Sequence, residues 1–138
     1  MSYLLDTNVL SELVKTKPNE NLLNWFSHIP DDCLYVSVLS IGEIRKGVEA
    51  VSDNMRKQKL KLWLEQELTT WFGTRMLGVN YAVADRWGRL QAQLKRSLPA
   101  IDSLIAATAL HYDLCVVTRN EQDYKFQSLE VINPWKAS

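Results

Sequence analysis

The chain has 138 residues, of which 46% are hydrophobic and 23% charged, and its 16 basic side chains balance its 16 acidic ones. This composition is typical of globular proteins and excludes a largely disordered chain, and the length predicts a single domain over residues 1–138. No apolar run approaches the ~20 residues of a membrane span, and the N-terminus, with an acid at Asp6 and no basic residue before it, does not fit a secretory signal. The two cysteines fit neither a disulfide framework nor a zinc motif, so we expect a cytoplasmic protein.

The charge is unevenly distributed along the chain. Residues 1–44 carry two basic and six acidic side chains, residues 45–96 carry eleven and five, and residues 97–138 carry three and five. A uniformly basic surface for nucleic acid is therefore excluded, whereas a local basic surface beside an acidic site is compatible with this distribution.

Apolar periodicity and turn residues predict an alternation of strands and helices. We expect five strands, at residues 3–5, 34–38, 75–79, 114–118 and 129–132. Between the first two strands we expect helices at 9–14 and 20–26, and between the second and third a helix over 40–48 and a long helix over 52–72. Helices at 81–97 and 101–112 are expected between the third and fourth strands. Gly73 is a stop signal after the long helix, and Pro99 breaks the helix that ends at 97. The alternation predicts an α/β fold in which helices cover both faces of a central, mostly parallel sheet of about five strands.

Four acidic residues fall near the ends of the predicted strands. Asp6 follows the first strand, Glu43 lies in the helix after the second, Asp102 lies near the start of the helix that precedes the fourth, and Asp123 follows the fourth. Ligands of such folds bind at the carboxyl ends of the strands, where strand order reverses. Carboxylates that converge there repel each other unless a hard cation neutralises them. The pattern is compatible with metal-assisted hydrolysis of phosphodiesters.

Each of these acids, taken alone, also fits a role in helix capping. Ser40 and Glu43 have the spacing of a capping box, and Asn120 and Asp123 imitate it. Asp6 and Asp102 could stabilise helix N-termini. Spacing alone leaves the two interpretations open.

Four stretches of the chain together carry a more specific pattern. They are LLDTNVLSEL at 4–13, SVLSIGEIRKG at 37–47, PAIDSLIAATA at 99–109 and VVTRNEQDY at 116–124. In this order and at these separations they resemble PIN-domain ribonucleases, and most closely the VapC/FitB-like toxins of type II toxin–antitoxin pairs. One departure is Tyr124, where the family more often has phenylalanine.

The resemblance implies a three-layer α/β/α fold and a divalent-metal-dependent endoribonuclease that uses Mg²⁺ or Mn²⁺. It implies catalytic and metal-binding roles for Asp6, Glu43, Asp102 and Asp123, with Asp6 and Asp102 as the principal ligands. It also implies supporting polar roles for Thr7, Asn8, Thr118 and Asn120. The implied mechanism is in-line attack of a metal-activated water on an RNA phosphate, which leaves 5′-phosphate and 3′-hydroxyl ends. The implied partners are an antitoxin that blocks the active site and a second copy of the chain in a homodimer, with a higher assembly formed with the antitoxin and no membrane contact.

Basic and aromatic residues in the middle of the chain suggest partner surfaces. The RNA-binding candidates are Arg45, Lys46, Arg56, Lys57, Lys59 and Lys61, and a second basic group is Arg86, Arg89, Lys95 and Arg96. Both could instead be ordinary solvated helix faces. The aromatic residues Phe26, Trp63, Trp71 and Phe72 fit either core packing or a groove for an antitoxin helix, and Trp135 could close the edge of the sheet. We interpret His28 and His111 as structural.

Three alternatives to a toxin remain open. The chain could be a PIN nuclease of RNA maturation or decay without an antitoxin. It could be a non-catalytic binding module whose acids only cap helices. A phosphatase or DNA nuclease could also use the same metal site.

Overall fold

The computed structural model describes residues 1–94, 98–126 and 128–136. The strands are β1 Tyr3–Leu5, β2 Leu34–Ser37, β3 Met76–Leu77, β4 Cys115–Val117 and β5 Val131–Ile132. The helices are α1 Thr7–Leu13, α2 Glu20–Ser27, α3 Val38–Glu49, α4 Asn54–Leu62, α5 Thr69–Phe72, α6 Tyr81–Gln93 and α7 Ala100–Tyr112. Short 3₁₀ turns lie at Asp31–Cys33, Gly73–Arg75 and Glu121–Tyr124. Within this described part of the chain, none of the helices is both long and apolar enough to cross a bilayer.

The five strands of the described residues form one parallel sheet in the order β3-β2-β1-β4-β5. Leu5 at the end of β1 is opposite Val36 of β2 on one side and Val117 of β4 on the other. The chain builds outwards from β1 to β2 and β3, and then crosses to β4 on the other side of β1. Strand order therefore reverses between β1 and β4, which is where ligands of parallel sheets bind.

Alternating side chains of the sheet contact two helical layers. Leu5 packs with α1, α3 and α5 in one core cluster, whereas its neighbour Leu4 packs with α7 in a second cluster on the opposite face. Both leucines are fully buried, and burying a side chain of this size contributes about 1.5–3 kcal/mol. The predicted parallel sheet with helices on both faces, and the three-layer α/β/α arrangement, are confirmed.

Helix α3 begins two residues earlier than predicted. Its N-cap is Ser37, the last residue of β2, whose hydroxyl accepts a hydrogen bond from the Leu39 N–H at 3.1 Å. Ser40 therefore lies inside the helix, fully buried, and the predicted capping box of Ser40 and Glu43 is wrong. Because strand passes into helix without a loop, the first turn of α3 lies directly at the sheet edge.

The predicted long helix over 52–72 forms, but with a change of helical type in its middle. Asp53 caps α4, since its carboxylate accepts the Met55 N–H at 3.1 Å. The chain then continues as a π-helix over Trp63–Leu68 and as α5 up to Gly73. Gly73 has φ +51°, a conformation that favours glycine, which explains the stop at this position.

Other boundaries differ from the prediction by one to four residues, and two of them have a clear local cause. Helix α6, predicted to reach residue 97, ends at Gln93, because Leu94 is already extended with ψ 141°. Residues 95–97 lie outside the described part of the chain. The third strand, predicted over 75–79, is only Met76–Leu77, since Arg75 still belongs to a 3₁₀ turn.

The aromatic residues considered for an antitoxin groove pack against the first core cluster. Phe72 is 2% exposed and belongs to that cluster, and Phe26, Trp63 and Trp71 pack against it while partly buried. Core packing is therefore confirmed for Phe72, whereas the other three pack against the core with part of each side chain still exposed.

Arg75 ties the end of α5 to the start of β2. Its guanidinium donates hydrogen bonds to the carbonyl oxygens of Asp31, Leu34 and Trp71, and it lies over the Phe72 ring at 5.5 Å from the centroid. The carbonyl groups of three separate segments are therefore satisfied by hydrogen bonds from this one side chain.

We expect Arg75→Ala to lower the free energy of unfolding by about 2–4 kcal/mol, because the carbonyls lose charged donors. Urea denaturation followed by circular dichroism measures the difference. The control is Arg89→Ala, which removes only the exposed pair with Asp85 at 3.1 Å and should change stability by less than ~0.5 kcal/mol. Equal effects of the two substitutions would contradict this role of Arg75.

Candidate active site

Asp6 lies where strand order reverses, between the carboxyl ends of β1 and β4. Its backbone N–H donates to the Val117 carbonyl at 2.9 Å, which fixes it to β4. Its carboxylate accepts the Thr7 N–H at 2.8 Å and the Thr118 hydroxyl at 2.8 Å. The residue is only 6% exposed, so these bonds hold a nearly buried carboxylate in one position.

All four acids predicted from the sequence line one cleft beside this position. The cleft has a volume of about 400 Å³. Its lining residues are Asp6, Thr7, Asn8, Ser11, Glu12, Lys15, Glu43, Asp102, Arg119, Asn120, Asp123 and Trp135. Residues from α1, α3, α7 and the segments after β4 and β5 thus meet at one edge of the sheet.

Glu43 reaches the cleft from α3. Its Oε1 accepts the Thr7 hydroxyl at 2.5 Å, a contact that joins α3 to the first residue of α1. Since Ser37 rather than Ser40 caps α3, the Glu43 carboxylate has no capping bond to make there. It is held toward the acidic cleft instead.

Asp102 lies in the first turn of α7, and Asp123 lies in the 3₁₀ turn after β4. Burial raises the pKa of the Asp102 carboxyl to about 6, and the negative charges of Asp6, Asp123 and Glu43 add to the increase. The same repulsion identifies these four side chains as electrostatic neighbours even though they are far apart in sequence.

Burial also raises the pKa of the Asp6 carboxyl, and the charge of Glu43 contributes. The hydrogen bonds from Thr118 and the Thr7 N–H act in the opposite direction, since they stabilise the charged form. A carboxylate with raised pKa and donors fixed around it is suited to bind a cation, because the cation removes the repulsion.

The polar residues predicted to support the acids form a connected network. The Asn8 amide donates to the Thr118 hydroxyl at 3.2 Å and to Asp6 at 3.4 Å, and its oxygen accepts the Arg119 N–H at 3.2 Å. Thr118 is fully buried, and its hydroxyl oxygen also accepts the Asn120 N–H at 3.0 Å. The ends of β1 and β4 are therefore joined through Asp6.

Only one of the four acids makes a capping hydrogen bond, although Asp102 also lies in the first turn of its helix. Asp6 is the N-cap of α1 and faces the cleft as well. Glu43 lies within α3, and the starts of α7 and of the Glu121–Tyr124 turn have no side-chain capping bond. Capping alone therefore does not explain why Glu43, Asp102 and Asp123 line the same cleft.

The cleft offers the oxygen ligands that Mg²⁺ and Mn²⁺ prefer. Among residues 1–94, 98–126 and 128–136, however, no three acidic, histidine or cysteine side chains stand close enough together to hold a metal ion directly. Mg²⁺ keeps several waters and needs only one or two carboxylates. The mutually repelling Asp6 and Asp102 in a roomy cleft fit that kind of hydrated ion.

Comparison with known proteins agrees with this geometry. The PIN domain profile matches residues 3–129. The chain belongs to the PIN-domain family. It is 33% identical to toxin FitB of Neisseria gonorrhoeae, an alignment that covers 96% of this chain and 97% of FitB. It is also 33% identical to VapC ribonuclease Y4jK of Sinorhizobium fredii, with 96% and 97% covered.

A solved structure shares the fold of this PIN domain closely. The crystal structure of FitAcB from Neisseria gonorrhoeae superposes with a TM-score of 0.91 at 32% identity, and the match covers 98% of this chain and 99% of that one. The family resemblance inferred from the four sequence stretches is confirmed.

Tyr124 places a hydroxyl group next to the acids of the cleft. The residue is 1% exposed, and its hydroxyl has no partner with hydrogen-bond geometry among the described residues. Its hydroxyl partly offsets the increase in the pKa values of Asp6 and Asp102 that burial causes. Burial and these carboxylates raise the pKa of the phenol, so it stays protonated.

The basic residues predicted for RNA binding do not line this cleft. Arg45 pairs with Glu65 at 2.6 Å and with Glu49 at 3.4 Å, and Lys57 pairs with Glu49 at 3.9 Å. The other members of the first group are Lys46, Arg56, Lys59 and Lys61. Part of the first group thus has its charge compensated within the helical layer.

The described members of the second basic group also lie away from the cleft. Arg86 and Arg89 line a separate cavity beside α6, and Lys95 and Arg96 lie outside the described residues. His28 and His111 are exposed, and neither lines the acidic cleft.

Sequence reasoning missed three charged residues of the cleft. Glu12 is 7% exposed, pairs with Lys15 at 2.8 Å and accepts the Asn19 N–H at 3.0 Å. Arg119 directly follows Thr118 and faces solvent at the rim. Arg119 could have been predicted from its position next to Thr118, a residue already predicted to support the acids. Glu12 and Lys15 could not, because their sequence context is that of ordinary helix residues.

The raised pKa of Asp102 predicts a pH-dependent stability for the metal-free protein. Unfolding returns its pKa from about 6 to the ordinary 3.8. Between these values the folded state keeps a proton that the unfolded state has lost, so this contribution to stability is lost as pH rises through about 6.

We therefore expect Asp102→Asn to stabilise the metal-free protein relative to wild type at pH 7.5 and to have a smaller effect at pH 4. Denaturation at both values in a chelating buffer measures the difference. Asp85→Asn, at an exposed position of α6, is the control. A stabilisation that is the same at both values would mean that Asp102 is not repelled as described.

Proposed function

We propose that this PIN domain is an endoribonuclease toxin of a type II toxin–antitoxin pair. Its substrate is RNA and its reaction is the hydrolysis of a phosphodiester bond. The observation that carries the proposal is that Asp6, Glu43, Asp102 and Asp123 line one cleft and repel each other electrostatically. The repulsion among these carboxylates is relieved by a bound divalent cation, and such a cation can in turn hold a phosphate group.

We assign each acidic residue a role from its position in the cleft and, for Asp6 and Glu43, from its hydrogen bonds as well. Asp6, fixed by Thr7 and Thr118, is the rigid ligand, and Asp102 on α7 is its opposing partner. Glu43, held by the Thr7 hydroxyl, and Asp123 complete the negative field directly or through water. Fixed carboxylates orient water and phosphate without a rearrangement during the reaction.

The cofactor that we propose is Mg²⁺ or Mn²⁺, held by Asp6 and Asp102 first. When bound, such an ion lowers the pKa of water and neutralises charge on the phosphoryl group. The network of Asn8, Thr118 and Asn120 then keeps Asp6 in place against the pull of the ion. We expect products with 5′-phosphate and 3′-hydroxyl ends.

The names of the relatives support the assignment to a toxin. One is called a toxin and another a VapC ribonuclease, and both match over nearly their whole length. We infer an antitoxin that covers the cleft, a homodimer of this chain, a higher assembly with the antitoxin, and action in the cytoplasm. The whole chain acts as one PIN domain in this proposal.

The decisive experiment is induction of the protein with and without the products of its neighbouring genes. We expect a small neighbouring protein to co-purify with it and to suppress toxicity. Sequencing of RNA ends after induction of the protein alone should reveal new 5′-phosphate ends, absent with Asp6→Asn. Cleavage without any inhibitory partner would favour an RNA-maturation nuclease, and cleavage of DNA or phosphomonoesters but not RNA would refute the proposal.

A further inference from the structure

One wall of the acidic cleft differs in chemistry from the rest. Most of the lining is acidic or small and polar, but Arg119 and Trp135 stand together at the side formed by the ends of β4 and β5. The Arg119 guanidinium lies over the Trp135 ring at 5.8 Å from the centroid. Among the described residues, Trp135 is the one aromatic residue that lines the cleft.

Several hydrogen bonds and an ion pair hold the segment that contains Trp135 in place. The Asn133 amide donates to the Arg119 carbonyl at 3.2 Å, and its oxygen accepts the Trp135 N–H at 3.0 Å. The Asn21 amide of α2 donates to the Trp135 carbonyl at 2.8 Å, and Lys136 pairs with Glu121. The tryptophan is therefore positioned before any ligand arrives, which lowers the entropy cost of binding.

The two side chains remain available for a ligand. Arg119 is exposed, and no carboxylate of residues 1–94, 98–126 and 128–136 forms a salt bridge with it. Trp135 packs against the first core cluster and is only partly buried. A planar cation over a partly exposed indole is the kind of surface on which unpaired nucleobases stack.

We propose that Arg119 and Trp135 form a stacking subsite for one unpaired nucleobase of the RNA, next to the phosphate that is cleaved. The inference rests on the proposed function, because it names how the substrate of the same cleft is held. The acids at Asp6 and Asp102 take the phosphate through the cation. The adjoining base then lies against the aromatic and guanidinium wall, so single-stranded RNA is preferred over a duplex, whose base faces are covered.

The test compares binding of two probes to the wild-type protein with Ca²⁺ in place of Mg²⁺, so that the acidic cluster stays intact while cleavage is suppressed. One probe is a fluorescein-labelled single-stranded oligoribonucleotide pool of eight mixed-sequence nucleotides. The other is a ribose-phosphate chain of the same length without bases. Fluorescence anisotropy gives the dissociation constants, and thermal unfolding checks that each variant is folded.

We expect Trp135→Leu to weaken binding of the pool about 5- to 150-fold, the range for loss of one stacked base, and to leave binding of the chain without bases unchanged. Trp135→Phe should retain most of the affinity. Arg119→Lys, which keeps the charge but loses the planar group, should weaken binding of the pool alone. Trp71→Leu, at a tryptophan packed against the same core but outside the cleft, should leave both affinities unchanged.

Two results would overturn the subsite while leaving the proposed function intact. In one, Trp135→Leu binds the pool as tightly as the wild type. In the other, it weakens both probes equally, which would mean that Trp135 only fastens the chain terminus. If the wild-type protein with its cation binds neither probe, the proposed function fails together with the subsite.

Discussion

Replacing Asp6 or Asp102 by asparagine is expected to lower the rate of RNA cleavage by at least about a thousandfold, or ~4 kcal/mol. Each substitution removes one negative charge from the cleft while keeping the side-chain shape. Asparagine at position 6 can still cap α1 through the Thr7 N–H, so the fold should persist. Single-turnover cleavage of a labelled RNA, with circular dichroism as the check on folding, measures the effect.

The control for this prediction is Asp85→Asn on the exposed side of α6. It changes net charge by the same amount but lies outside the cleft. We expect its cleavage rate to stay within about threefold of wild type. If all three variants cut equally well, the acids of the cleft are not the reactive centre, whatever their repulsion.

Removal of divalent ions should abolish cleavage completely, and added Mg²⁺ or Mn²⁺ should restore it. The reason is that the four carboxylates repel each other and a phosphate group alike when no cation is present. The measurement is cleavage after dialysis against EDTA, followed by titration of each metal. The products should be ligatable, with 5′-phosphate and 3′-hydroxyl ends.

The end chemistry distinguishes this mechanism from attack by the ribose 2′-hydroxyl. Cleavage that continues in EDTA and leaves 2′,3′-cyclic phosphates would contradict metal-dependent hydrolysis. The two histidines, His28 and His111, are exposed and lie away from the cleft, so they do not offer an alternative acid–base pair there. An unchanged circular dichroism spectrum in EDTA controls for loss of structure.

The sheet and the meeting of the acids could be predicted because they depend on local patterns. Leu4 and Leu5 form a buried apolar run that ends at Asp6, and a parallel sheet places the ends of such strands at one edge. The four acids therefore reach one cleft, as the sequence indicated. Their roles in catalysis and metal binding remain predictions for the experiments above.

Helix boundaries were less predictable, because competing caps and tertiary contacts decide them. Ser37 and Ser40 are both plausible N-caps, and only the buried position of Ser40 inside the layer distinguishes them. The π-helix over Trp63–Leu68 has a periodicity too close to that of an α-helix for six residues to reveal it. Packing of Leu64 and Leu68 into the core accompanies this change.

The Arg119 and Trp135 wall could not be predicted from local sequence. Its geometry depends on contacts between residues far apart along the chain, such as the Asn21 amide and the Trp135 carbonyl. The abundant lysines and arginines between residues 45 and 61 gave a stronger compositional signal for RNA binding. The structure instead pairs Arg45 with acids of its own layer and brings Arg119 to the cleft.

Isothermal titration of the metal-free protein with Mn²⁺ tests most directly whether carboxylates from four parts of the chain share a divalent ion. We predict saturable binding by wild type and by Asp85→Asn, and its loss in Asp6→Asn and Asp102→Asn. At pH 6 binding should also release protons, because the pKa of Asp102 is about 6 without the ion. Absence of binding, or binding that both cleft substitutions leave unchanged, would contradict a shared metal site.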